Sequence, residues 1–180
     1  MDVIIIRHTT PDVPKGTCYG WSDVDVASTF AEEAEITFEE LKYLLRDGAG
    51  VDAAFTSPLM RAKKLAEFCG FGNAVEDVRL KEMNMGDWEM QRFDDIKDPA
   101  LREWYADYFN KPATGGESFP MLYARVAEFL TELKNQSYKR VIIFAHGGVC
   151  VCAGIYAGLF PKSEAFSHLP SYGGILQITI

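Results

Sequence analysis

Apolar residues in this chain occur in two kinds of run. Short unbroken runs lie at Val3 to Arg7, Asp52 to Thr56 and Val141 to Ala145, each followed at once by polar or turn-forming residues. That is the pattern of strands buried on both faces. The closing run Ile175 to Ile180 reads as one more strand. Elsewhere the apolar positions recur at helical spacing. Thr37 and Glu40 have capping-box spacing ahead of Leu41, Leu44 and Leu45, with Gly48 as a stop. Ser57-Pro58 offers a capping hydroxyl and a proline at the first helical position, with Gly70 as terminator. Asp98-Pro99 repeats that signal ahead of Leu101, Trp104, Tyr105 and Tyr108. Phe119 through Leu122, Val126, Phe129, Leu130 and Leu133 keep a single apolar face. Strands alternating with helices predict an α/β protein, a three-layer α/β/α sandwich around a mostly parallel sheet. Residues 1–180 read as one domain, with 83–117 as a small cap inserted between sheet elements; that stretch mixes two of the three tryptophans with charged residues and Gly115-Gly116.

Composition narrows the partners. A chain of 180 residues that is 48% hydrophobic is long and apolar enough for one substantial core. No apolar run approaches the roughly 18 residues needed to span a bilayer, and Met1-Asp2 opens a run too short for a signal peptide. The expectation is a soluble cytoplasmic protein, monomer or homodimer, with no membrane partner. The net charge of -8, without a clustered Lys/Arg surface, argues against nucleic-acid binding. An anionic ligand must therefore be held by a local cationic site against the overall field. Four sparse cysteines fit reduced, packed thiols better than a disulfide frame.

Two histidines occupy equivalent positions. Val3-Ile4-Ile5-Ile6-Arg7-His8 and Val141-Ile142-Ile143-Phe144-Ala145-His146 each run a hydrophobic strand into a histidine at its carboxyl end, the edge at which open α/β sheets bind ligands. Taken singly, either would more often be a structural residue; the repetition points to a site. Arg7 can border the same crevice. Arg61 falls in the first turn of the helix begun by Ser57-Pro58, where a cation is disfavoured unless something negative sits nearby. A solvated helix face beside Lys63 and Lys64 is the alternative. Gly147-Gly148 after His146 would let backbone amides approach an anion. Two arginines, two imidazoles and bare amides make a plausible cage for a phosphoryl group, whose oxygens need several donors at once. Protonating a leaving oxygen calls for an acid. Glu82, read as ending a strand and flanked by methionines that can raise a carboxyl pKa, is one candidate and Glu89 the other; a surface acid paired to lysine remains open for both.

Other chemistries are missing their residues. There is no G-x-S-x-G elbow, no Walker loop and no G-x-G-x-x-G. Cys150 and Cys152 face apart on a helix and no His or Asp pairing has zinc spacing, so neither a metal nor another cofactor is indicated. His168 is expected to pack or to face solvent.

Five segments together resemble the histidine phosphatase superfamily, also called phosphoglycerate-mutase-like. They are Arg7-His8-Thr9, Ser57-Pro58-Leu59-Met60-Arg61-Ala62, Glu82 with Gly86-Asp87-Trp88-Glu89, Gly115-Gly116-Glu117-Ser118 and Ala145-His146-Gly147-Gly148, in that order over nearly the whole chain. The resemblance implies a metal-independent mechanism through a phosphohistidine. His8 would attack phosphorus while Arg7, Arg61 and His146 neutralise the equatorial oxygens, and Glu82 would protonate the departing alcohol. It also implies that the other ring nitrogen of His8 keeps its proton on a backbone carbonyl.

The chain departs from the commonest pattern of the family. Arg7-His8-Thr9-Thr10-Pro11 stands where many members have R-H-G-E-T, Pro14 lies in the region of an asparagine, and Trp88-Glu89-Met90 replaces W-E-G. The opening R-H-T-x-P with Gly16, Cys18-Tyr19-Gly20 and Asp23 looks most like the alpha-ribazole phosphatase branch, which acts late in cobalamin nucleotide-loop assembly. The reading is a phosphomonoesterase acting on a small phosphorylated metabolite. The alternatives are a phosphoglycerate-type mutase or other sugar-phosphate phosphatase, and a catalytically quiet protein that binds a phosphorylated ligand. Trp88, Trp104, Tyr105 and Tyr108 either close on a flat organic group or simply pack the cap.

Overall fold

A computed structural model describes residues 1–180. Four strands run parallel: β1 (Asp2–Arg7), β2 (Ala53–Thr56), β3 (Val75–Glu76) and β4 (Arg140–Ala145); β5 (Ile175–Thr179) pairs antiparallel with β1, and the order across the sheet is β3-β2-β4-β1-β5. The helices are α1 (Phe30–Leu44), α2 (Met60–Phe68), α3 (Ala100–Ala106), α4 (Phe119–Lys134) and α5 (Gly147–Tyr156).

Strand alternation sorts the core into two sides. Ile4, Ile6, Ile142 and Phe144 project to one face and pack on Ala34 and Leu41 of α1 and Leu65 and Ala66 of α2. Val3, Ile5, Val141 and Ile143 project to the other and meet Leu122, Val126 and Leu130 of α4 and Val149 to Ala153 of α5. Every residue from Val3 to Ile6 is therefore buried, which is why these strands read as continuous apolar runs. The result is the three-layer sandwich expected from the alternation, and no helix is long and apolar enough to cross a membrane.

Three local expectations are corrected. Helix α1 begins at Phe30, so Thr37 lies in its interior rather than at its start. The Thr37 hydroxyl is 3.1 Å from the Glu33 carbonyl and 3.0 Å from that of Gly173, satisfying it without a cap. At the true start, Thr29 Oγ1 donates to Glu33 Oε1 at 2.6 Å. Helix α2 begins at Met60, two residues beyond Pro58, and the Met60 amide donates at 2.7 Å to Asp23, a carboxylate from a distant loop. Ser57 Oγ accepts only a 3.3 Å bond from the Leu59 amide. Glu82, finally, does not end a strand. Asp77 accepts from the Arg79 amide at 2.8 Å and closes β3 into a 3₁₀ turn over Val78–Leu80, so Glu82 lies on chain outside the sheet.

Within 83–117, Met85, Trp88, Ile96, Leu101 and Ala113 pack with Cys18 into a small cluster of their own. The Trp88 indole donates to Asp98 Oδ2 at 2.8 Å, and the other oxygen of Asp98 accepts from the Ala100 amide at 2.9 Å at the start of α3. One aspartate thereby ties a buried tryptophan to a helix terminus.

Candidate active site

Parallel pairing of β1 with β4 sets Arg7 opposite Ala145, so both strands deliver their next residue to the same edge. The rings of His8 and His146 meet edge to face with centroids 5.1 Å apart, and both residues are buried. His8 Nδ1 lies 2.6 Å from the Thr9 carbonyl oxygen. A carbonyl only accepts, so Nδ1 carries the proton and Nε2 keeps its lone pair. Burial, followed by the positive charge of Arg61, pushes the His8 pKa down to about 3, overcoming the Thr9 bond, which works the other way. His146 is pushed well below its ordinary value by burial and then by Arg61 and His8. Its Nε2 is 2.8 Å from Ser57 Oγ.

The two arginines frame these rings. Arg61 is fully buried, with its terminal nitrogens donating to the carbonyls of Ser22 and Gly20 at 2.8 Å each. That disposes of the solvated-face reading. Burial works against its charge, and the carboxylate of Glu82 is the largest influence in its favour. Arg7 donates to the Pro170 carbonyl at 2.6 Å and lies over the Tyr172 ring at 4.1 Å. Arg7 Nε, Arg61 Nε, His146 Nδ1 and Thr9 Oγ1 are buried without any hydrogen-bond partner. A buried polar group left unpaired costs about 1–3 kcal/mol, so such a cluster at a strand edge suits an anion that brings several oxygens.

Gly147 and Gly148 open α5. A Cβ at Gly147 would come within 3.3 Å of the Arg7 guanidinium carbon, and one at Gly148 within 2.2 Å of Glu82 Oε1. Gly148 has no room for a side chain because Glu82 lies against it, and at Gly147 a Cβ would crowd both Leu169 and Arg7. One of the amides expected to be bare is in fact used: Gly148 N donates to Glu82 Oε2 at 3.1 Å, while Glu82 Oε1 accepts from the Met83 amide at 2.9 Å. Glu82 is thus half-buried and aimed at the start of α5.

Glu89 does a different job. Its Oε1 accepts from the amides of Trp21 (2.6 Å) and Met85 (3.0 Å), and its Oε2 from the amide and hydroxyl of Ser22. With both oxygens engaged by the chain, it anchors the 19–23 loop that Arg61 also holds. Those carbonyl and amide acceptors and donors were invisible to side-chain reasoning. Nothing in the spacing of Asp23 and Glu89 marks them as braces of one loop.

A cavity of about 620 Å³ is lined by Arg7, Glu82, Gly147 and Gly148 of this region and by Trp104, Tyr105, Tyr108 and Phe166. Of the aromatics singled out in the sequence, only Trp88 stays out of the wall, buried in its own cluster. His168 stands apart, stacked on Phe160 with centroids 4.3 Å apart.

A mostly parallel α/β sheet thus brings two imidazoles and two arginines together at one edge. The sequence profile of the histidine phosphatase superfamily (branch 1) matches residues 3–178, and the chain belongs to that superfamily. It is 30% identical over 165 residues to putative phosphoserine phosphatase 2 of Hydrogenobacter thermophilus, covering 84% of this chain and 78% of that protein. It is 29% identical over 187 residues to a 2,3-bisphosphoglycerate-dependent phosphoglycerate mutase of Methylobacterium radiotolerans, with 93% and 86% covered. It is 30% identical over 146 residues to the adenosylcobalamin/alpha-ribazole phosphatase of Salmonella typhimurium, with 73% and 72% covered. The crystal structure of the alpha-ribazole phosphatase from Shigella flexneri superposes with a TM-score of 0.85 at 24% identity, over 100% of this chain and 91% of that one, which establishes the shared fold.

Proposed function

We propose that this member of the superfamily is a phosphomonoesterase that transfers the phosphoryl group of a small metabolite to His8 Nε2 and then to water. One observation carries the reading. The bond from Nδ1 to the Thr9 carbonyl leaves Nε2 unprotonated and unpartnered, in a cluster with the unpartnered Nε donors of Arg7 and Arg61 and the unpartnered Nδ1 of His146. In the first step Nε2 forms the N–P bond as the P–O bond to the alcohol breaks, and Glu82 gives its proton to the departing oxygen. In the second, water forms the new P–O bond, the N–P bond breaks, and Glu82 takes the water proton. The arginines and His146 carry the equatorial charge throughout, and a ring held neutral at pH 7 needs no separate base.

The apolar, aromatic wall beside Glu82 supports a leaving alcohol that bears a flat organic group. Alpha-ribazole 5'-phosphate has that form, and the R-H-T-x-P opening favours it; a cytoplasmic setting and a monomer or homodimer go with this reading. The test is release of phosphate from p-nitrophenyl phosphate in EDTA by wild type and His8→Ala, followed by a substrate panel of alpha-ribazole 5'-phosphate, phosphoserine and 3-phosphoglycerate. Release that survives EDTA, is lost in the variant and passes through an acid-labile, alkali-stable phosphoprotein supports the hydrolase. Phosphate passed between phosphoglycerates faster than to water replaces it with a mutase, no turnover of any monoester by the wild type leaves a binder, and equal rates across the panel remove the aromatic preference.

A further inference from the structure

The acid proposed for the reaction sits on a stretch of chain that belongs to no strand or helix. Residues 81–84 leave a 3₁₀ turn and reach the site outside any strand or helix. Irregular chain of this kind does not hold a carboxyl to the fraction of an ångström that proton transfer demands unless something fixes its backbone. Glu82's own two bonds, to the amides of Met83 and Gly148, fix the carboxylate relative to its neighbours but not the main chain that carries it.

Arg125, on α4, supplies the missing constraint. Its NH1 donates to the carbonyls of Arg79 (2.6 Å) and Lys81 (2.7 Å), and its NH2 donates to the carbonyl of Glu82 itself at 2.8 Å. Nε and NH2 form a fork on Glu117, at 2.9 Å each. Glu117 in turn accepts from the Asn84 amide at 2.8 Å, and its own amide donates to the Asn84 carbonyl at 2.7 Å. The ion pair is well shielded, at 14% and 12% side-chain exposure. Carbonyls on one side of Glu82 and the peptide of Asn84 on the other are thus held by one buried pair. A guanidinium offers five donors in a fixed plane and here engages all three nitrogens, NH1 and NH2 on these carbonyls and Nε with NH2 on Glu117, a geometry that an ammonium does not reproduce.

We infer that Arg125, buttressed by Glu117, is a positioning residue that aims the Glu82 carboxyl at the leaving oxygen, and this rests on the acid role given to Glu82 above. Its signature is dependence on the leaving group. An alkyl alcohol must be protonated as it departs, whereas p-nitrophenolate leaves without help. Arg125→Met is therefore expected to lower kcat/KM, which reports the step in which the alcohol departs and not the later hydrolysis shared by all substrates, on an unbranched alkyl phosphate by about 100-fold, the low end of what general acid catalysis contributes, while kcat/KM on p-nitrophenyl phosphate falls less than about 5-fold. Arg125→Lys stays impaired on the alkyl ester. Glu117→Gln shows the same selectivity more weakly and serves if Arg125→Met does not fold, judged by its thermal transition.

Glu82→Gln measured in parallel separates the two ideas. Selective loss in both Glu82→Gln and Arg125→Met, with no further loss in the double variant, supports the inference. Equal loss on both substrates in Arg125→Met and Glu117→Gln, beside selective loss in Glu82→Gln, makes Arg125 merely structural and overturns it. No selectivity in Glu82→Gln removes the acid itself, and the positioning role falls with it.

Discussion

Ser57 Oγ lies 2.8 Å from His146 Nε2, so a hydroxyl at the end of β2 orients the imidazole at the end of β4. The bond leaves Nδ1 as the ring atom free to face an anion. Ser57→Ala keeps the packing but frees the ring to turn. Turnover is expected to fall about 10-fold, or about 1.4 kcal/mol in the barrier, with the thermal transition moving by no more than a few degrees. A drop no larger than 2-fold in steady-state kinetics would show that packing alone fixes His146.

Stability should fall on mild acidification. In the folded protein His8 stays neutral down to about 3 and His146 is held well below its ordinary value, whereas in the unfolded chain both titrate near 6.5. As pH falls below 6.5 the unfolded state takes up protons that the folded state refuses, so stability present above that value is lost. Between pH 6.5 and about pH 5, before the carboxylates titrate, the two rings together cost about 3 kcal/mol. Urea unfolding of the wild type and of a His8→Asn/His146→Asn variant checks this: the wild type should lose stability over that window and the variant much less. Parallel curves would contradict the burial argument.

Met90 occupies the left-handed region, with φ of 63°, at the position where the commonest pattern of the family has glycine. Its amide donates to the Cys18 carbonyl at 2.7 Å, and its side chain is 54% exposed. Glycine keeps that bond, relieves the strain and gives up little packing. Met90→Gly is expected to stabilise by about 0.5–1 kcal/mol, read as a higher melting temperature in calorimetry; a lower one would mean that the side chain is held by contacts worth more than the strain.

Trp104 walls the cavity and packs edge to face on Trp88, with centroids 5.9 Å apart. Trp104→Leu should raise KM for an aryl-bearing phosphate about 10-fold and leave KM for glycerol phosphate within 2-fold. An equal rise for both, measured side by side, would show that the indole shapes the cage and not the alcohol subsite.

What the sequence revealed and what it hid have a common cause. The two strand-to-histidine segments were legible because strands buried on both faces are written as unbroken apolar runs, and the fold followed from their alternation with helices. The helix starts were not. Thr37 and Glu40 imitate a capping box inside α1, and the cap of α2 comes from Asp23, remote in sequence. The loop over 19–23 is held by its own carbonyls and amides on Arg61 and Glu89, partners that no local spacing announces. Arg125 is hidden for the same reason, since an arginine on an amphipathic helix looks like surface until its acceptors are known. That Glu82 lines the cavity while Glu89 does not is likewise a matter of folding that no spacing in the sequence encodes.

The register of β1 on β4 has one more consequence. A slip of a single residue would bring Gly147 to the level of His8 and turn the His146 imidazole toward the opposite side of the sheet. The proposed reaction centre is consequently incomplete until β1 and β4 are aligned, however much helix the chain already contains. On dilution from denaturant, enzymatic rate should return later than ellipticity, making turnover a reporter of completed strand alignment.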